Sequence, residues 1–136
     1  MAWTVKKQYS FDDAHRLVNG YPDKCKHVHG HTWKVRISAR SEQLDEFGFV
    51  VDYSNFKPLK EWIDEHLDHA TIISKNDTAL MNFLLQQEQR VFIIDENPTS
   101  ENIAKLLYGI AASLGLKPNT IEIDETCTSS CCYGNN

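Results

Sequence analysis

The feature that most constrains this chain is a period-2 alternation that starts inside a cluster of histidines. Trp33, Val35, Ile37 and Ala39 alternate with Lys34, Arg36, Ser38 and Arg40, the pattern of a strand, His31 to about Arg40, buried on one face. Traced backward through Cys25-Lys26-His27-Val28-His29-Gly30-His31, the same parity puts His29 and His31 on the buried side. Their side chains then lie about 7 Å apart along the strand, close enough to share one metal ion. Gly30 between them leaves the backbone free to adjust. A pair of surface histidines on a loop is the alternative that these residues alone leave open.

A second alternation, Trp3, Val5, Tyr9 and Phe11 against Thr4, Lys6, Gln8 and Ser10, predicts the first strand. Its parity continues to Asp13 and His15, so His15 emerges on the apolar side, where an imidazole needs a partner. A backbone hydrogen bond and a metal both meet that need.

Val18 to Asp23 reads as a turn-rich loop, and Ser41 to Glu46 turns the chain back. Phe47 to Tyr53 is expected to form a third strand, pairing with the second as an antiparallel hairpin. Ser54 or Asn55 can cap a helix carrying Phe56, Leu59, Ile63 and Leu67, which ends at Leu67-Asp68-His69-Ala70. Asp68 beside His69 is either a solvated helix end or a carboxylate that orients an imidazole. Thr78 to Gln89 predicts a shorter helix, and the β-branched run Arg90 to Ile94 a strand. Thr99 or Ser100 caps the clearest helix, lined by Ile103, Leu106, Leu107, Ile110 and Leu114 and closed by Gly115. In the last strand, Thr120 to Thr126, Glu125 shares its face with Ile121 and Ile123 and needs either a cation or a ligand's donors. This order predicts an α+β fold with helices on one face of a sheet.

A length of 136 residues fits one domain spanning residues 1–136, and a net charge of −5 argues against a general nucleic-acid or anionic-membrane binder. No run approaches the roughly 18 apolar residues of a membrane span or reads as a signal peptide, so a cytoplasmic protein is expected. There Cys25, Cys127, Cys131 and Cys132 should be thiols, with Cys131-Cys132 small buried or tail residues and Cys127 open.

Taken together, Phe11-x-x-Ala14-His15, Cys25-x3-His29-Gly30-His31, Leu67-Asp68-His69, Pro98-Thr99-Ser100-Glu101-Asn102 and Glu125-Thr126-Cys127-Thr128-x-x-Cys131-x-Tyr133 resemble the 6-pyruvoyl-tetrahydropterin synthase family. The three-residue gap after Cys25 and the Glu-Thr-Cys-Thr ending are most similar to its bacterial, queuosine-pathway branch, whose product is 6-carboxy-5,6,7,8-tetrahydropterin. The resemblance runs from about Val5 to Tyr133 and implies the tunnelling fold: a four-stranded antiparallel sheet with helices on one face, assembled as hexamers of two trimers with sites between subunits. It implies His15, His29 and His31 as zinc ligands, Cys25 as general base and Asp68 with His69 as a second acid–base element. Glu125 would anchor the pterin, with Thr99 also binding substrate. The implied substrate is 7,8-dihydroneopterin triphosphate, with triphosphate and acetaldehyde released and neither nicotinamide nor flavin required. A structural zinc module closed by Cys25 is the reading from outside enzymology. His27, Ala70, Ile72-Ile73 and Cys132 depart from the pattern, and Lys24, Lys26, Lys34 and Arg16 are triphosphate candidates by proximity alone.

Overall fold

The computed structural model describes residues 1–135. Its elements are β1 (Trp3–His15), β2 (His29–Ser41), α1 (Lys57–His66), β3 (Ala70–Ser74), α2 (Thr78–Gln86), β4 (Val91–Ile94), α3 (Ser100–Ser113), β5 (Thr120–Thr126) and β6 (Ser129–Gly134). The strands form one sheet in the order β4-β3-β1-β2-β5-β6.

The two alternating runs are the spine of that sheet. β1 and β2 pair antiparallel along their whole length, with Phe11 opposite Trp33, Asp13 opposite His31 and His15 opposite His29. Cross-strand partners share a face, so the apolar positions of both strands meet the helices on one side. Phe11, Trp33, Val35, Ile37, Ile121 and Ile123 pack there against Leu59 and Ile63 of α1 and Ile103, Ala104 and Leu107 of α3. The opposite face is polar: Arg36 spans Glu122 and Asp124 at 3.1 and 2.6 Å, and Lys6 reaches Glu122 at 3.4 Å. Helices on one face of the sheet are therefore what the chain forms.

The sheet itself departs from the expected four antiparallel strands. It has six strands and is mixed, because β3 runs parallel to both β1 and β4. β3 is a short run, Ala70–Ser74, hidden in the sequence directly behind a helix end, and β6 carries almost no apolar signal. Conversely, Phe47 to Tyr53 is not a strand and forms no hairpin with β2. Asp45 accepts the backbone N–H groups of Phe47 and Phe49, both at 2.9 Å, and Gly48 takes φ +86, so the segment is wound into a turn. Its two phenylalanines face outward, Phe47 74% and Phe49 45% exposed, while Val50 and Val51 pack half-buried against the core.

Gly30 has a different task from the one its sequence context suggests. It lies on the face away from the histidines, and a Cβ there would stand 3.0 Å from the Asp13 carbonyl oxygen. Glycine lets β1 approach closely where the three histidines converge.

Candidate active site

The end of the β1–β2 ladder gathers three imidazoles. His15, His29 and His31 present one ring nitrogen each, all within 4.8 Å of one another. His15 is buried, while His29 and His31 are half-buried. The ring orientations are fixed from behind. His15 Nδ1 donates to the Pro98 carbonyl at 2.7 Å, and His29 Nδ1 donates to the His27 carbonyl at 2.7 Å.

Those two bonds decide what the cluster can hold. A carbonyl only accepts, so both Nδ1 atoms carry hydrogen and both Nε2 atoms are bare lone pairs in the neutral rings. Yet these two Nε2 atoms face each other at 3.0 Å. His31 Nε2 is buried without a hydrogen bond, with Glu125 Oε1 standing 3.2 Å away. Burial pushes His15 down to about 4 and lowers His31 as well, which keeps both neutral near pH 7. Two bare lone pairs that face each other with no donor between them, and a third imidazole nitrogen within 4.8 Å, fit a cation. An all-imidazole triad held by outer hydrogen bonds suits a zinc-type ion that keeps an open position.

A cavity of about 190 Å³ adjoins the cluster, lined by His15, His29, Cys25, Thr99 and Glu125 and also by Tyr21 and Glu101. Different elements deliver these residues. Cys25 sits in a single 3-10 turn, Lys24–Lys26, initiated by the Asp23 carboxylate, which accepts the Lys24 N–H at 2.7 Å. Thr99 caps α3, accepting the Asn102 N–H at 3.2 Å, and Glu125 ends the inward row of β5. Tyr21 and Glu101 carry no site signal in the sequence: the first looks like a loop residue, the second like a helix-dipole charge.

Asp68 and His69 are not among the residues lining that cavity. They form a dyad of their own at the start of β3, where His69 Nδ1 lies 3.0 Å from the Asp68 carboxylate. His69 takes the left-handed conformation, φ +59, unusual for a side-chain-bearing residue and held by its N–H donating to the Asp12 carbonyl at 2.7 Å. The Asp12 N–H in turn donates to Asp68 at 3.0 Å and, with His69, keeps the Asp68 carboxyl below the usual carboxylate range. The His69 side chain is 77% exposed and borders a separate shallow cleft with Thr71 and Arg90.

The remaining sequence candidates divide clearly. His27 is exposed and lies outside the imidazole cluster, contributing its carbonyl instead. Arg16 is engaged in a bidentate pair with the buried Asp77 at 2.7 and 2.5 Å. Lys34 is on the polar face of the sheet, pairing in register with Asp124. Lys24 and Lys26 remain exposed beside Cys25. No helix among the described residues is long and apolar enough to cross a membrane.

Known proteins share this arrangement of chain. A protein named 6-carboxy-5,6,7,8-tetrahydropterin synthase from Rickettsia bellii is 36% identical over 100 residues, 72% of each chain. One of the same name from Synechocystis is 31% identical over 137 residues, covering 96% of this chain and 92% of its own. The structure of an uncharacterized protein of Wolinella succinogenes superposes with a TM-score of 0.83 at 26% identity, over 100% of this chain and 99% of that one. The Caenorhabditis elegans 6-pyruvoyl tetrahydropterin synthase shares the fold, with a TM-score of 0.72 at 21% identity over 100% of this chain and 97% of its own. The sequence profile that unites such proteins matches residues 4–136, taking in both histidine-bearing strands and the strand of Glu125, and on that match the chain belongs to the 6-pyruvoyl tetrahydropterin synthase family.

Proposed function

We propose that this chain is a zinc-dependent lyase that converts 7,8-dihydroneopterin triphosphate to 6-carboxy-5,6,7,8-tetrahydropterin, releasing acetaldehyde and triphosphate with one water consumed overall, as a step toward 7-deazapurines. The observation that carries this reading is the convergence of three imidazoles, two of which line one cavity together with Cys25 and Glu125. The names of the relatives and the three-residue gap between Cys25 and His29 favour the carboxy-forming branch.

Each residue then has a task. His15, His29 and His31 would hold the ion. Zinc bound there supplies Lewis acidity, lowering the pKa of a side-chain hydroxyl of the substrate. The Cys25 thiolate, with Lys24 and Lys26 beside it in sequence, would take a proton from the pterin side chain. The Glu125 carboxylate would accept hydrogen bonds from the pterin's amino and ring N–H groups, the donor array an inward carboxylate needs. Thr99 would contribute its hydroxyl at the cavity wall.

We propose further that the site is completed by a second copy. A cavity of about 190 Å³ is small against the roughly 300–1,000 Å³ of typical ligand sites, and the Asp68–His69 dyad is preformed yet turned to solvent. Trp3, Leu44, Phe49 and Tyr53 line one apolar hollow while remaining 51%, 41%, 45% and 53% exposed. β1 pairs with β3 only over Asp13–His15, which leaves most of its length without a strand neighbour on that side. A homo-oligomer, a hexamer by family resemblance, would cover these surfaces and bring a neighbour's dyad to the cavity.

The test is product analysis with zinc-loaded protein and 7,8-dihydroneopterin triphosphate. Acetaldehyde release is expected; triphosphate release with a pyruvoyl product and no acetaldehyde would assign the sister synthase reaction instead. Cys25→Ala should keep the metal and lose turnover, whereas loss of the metal with the thiol would make Cys25 a fourth ligand of a structural site.

A further inference from the structure

Behind the imidazoles lies a buried pair that none of the roles above uses. Asp13, 8% exposed, accepts a hydrogen bond from the indole N–H of Trp33, itself fully buried. The second carboxylate oxygen of Asp13 is buried with no partner at all. A carboxyl group, protonated or ionised, costs more to bury than an apolar residue that could fill the same space, and a half-satisfied one costs more still. A core residue chosen for packing would not be aspartate.

Its surroundings say what it serves. Asp13 is the cross-strand neighbour of His31 and lies two residues from His15 on the same face. The Trp33 ring stands edge-on to both: its centroid is 5.5 Å from that of His15 at 87° and 5.2 Å from that of His31 at 68°. On its other flank Phe11 stacks at 6.2 Å and 15°. His15 and His29 each have a carbonyl fixing Nδ1, from Pro98 and His27. The indole is a wall common to His15 and His31, and its polar end is tied down by Asp13.

We propose that Asp13 is a positioning residue of the metal centre, holding the Trp33 indole in the orientation against which His15 and His31 are set. This rests on the metal reading above. Asp13 touches neither substrate nor reacting atoms in this role; it acts through Trp33 on the preorganisation of two ligands.

The experiment measures zinc affinity by competition with a chromophoric chelator, and the ligand-field bands of the cobalt-loaded protein, for wild type, Asp13→Leu and Asp13→Asn. The leucine variant should bind zinc about 10- to 100-fold more weakly, with shifted cobalt bands. Asparagine keeps an oxygen for the indole and should restore affinity to within about threefold of wild type. A leucine variant that binds as wild type with unshifted bands overturns the inference, as does an asparagine variant as weak as leucine, which would assign the effect to charge. Should Asp13→Leu fail to fold, Trp33→Phe removes the indole N–H while keeping a ring and carries the same expectation and the same refutation. Wild-type protein that binds no zinc, or binds it undiminished in His29→Ala, overturns the metal reading and this inference together. Zinc binding that depends on His29 but is indifferent to the Asp13 and Trp33 changes overturns this inference alone.

Discussion

Replacing Asp13 by asparagine in the metal-free protein should shift stability relative to wild type in favour of the variant as pH rises, from a deficit at low pH to a gain above pH 7. Burial raises the Asp13 carboxyl from 3.8 to about 7. Between those values the folded chain keeps a proton that the unfolded chain has released, so wild-type stability is present below about pH 4 and drains away as pH rises through 7. At about 1.4 kcal/mol per pH unit, the interval corresponds to roughly 4 kcal/mol. Asparagine has no proton to lose and escapes this drain. Its amide also finds an incomplete set of partners, a cost of about 1–3 kcal/mol that does not vary with pH. The stability difference between the two proteins should therefore move by about 4 kcal/mol in favour of Asn between pH 4 and pH 8. Urea unfolding at fixed protein concentration with a chelator present, repeated across that range, reads it directly. A difference between variant and wild type that stays constant with pH would show that Asp13 is not buried as a protonated acid, and would refute the reasoning.

Three further perturbations probe the site and its frame. His29→Ala removes one of the three proposed ligand nitrogens and should weaken zinc binding by more than about 100-fold, beyond the loss of any outer partner, as read by chelator competition. Glu125→Gln keeps the shape but removes the charge from the proposed pterin anchor; KM for the pterin substrate should rise about 10- to 100-fold with zinc content unchanged. Arg16→Leu leaves the Asp77 carboxylate, 4% exposed, without its bidentate partner and should cost about 3–5 kcal/mol in urea unfolding, whereas retention of full stability would free Arg16 for a triphosphate role.

What the sequence made legible is what local periodicity encodes. The parity of two strands was enough to bring His15, His29 and His31 to one face, because antiparallel pairing places matched residues opposite one another whatever the rest of the chain does. Glu125 followed from the same rule. The misread segments are those where a local interaction overrides the pattern: the Asp45 carboxylate and Gly48 wind an apolar stretch into a turn, and a left-handed His69 starts a strand where a helix tail was expected. Asp13 carried the right parity, but only the indole N–H of Trp33 gives that aspartate a meaning, and a contact between two side chains twenty residues apart has no local signature. Asp68 and His69 mark a different limit. Their sequence neighbourhood points to acid–base chemistry, while their position leaves His69 exposed and outside the cavity of their own chain. A preformed, strained and solvent-facing dyad makes sense if it works on a neighbouring subunit's cavity. In that case Cys25→Ala and His69→Ala, each inactive alone, should recover activity when co-assembled, since about a quarter of randomly formed sites would draw Cys25 from one variant and His69 from the other. Recovery to that level after mixing and reassembly supports the shared site. Mixed oligomers that remain as inactive as either parent would place the dyad's chemistry within a single chain and remove the reason proposed here for its exposure.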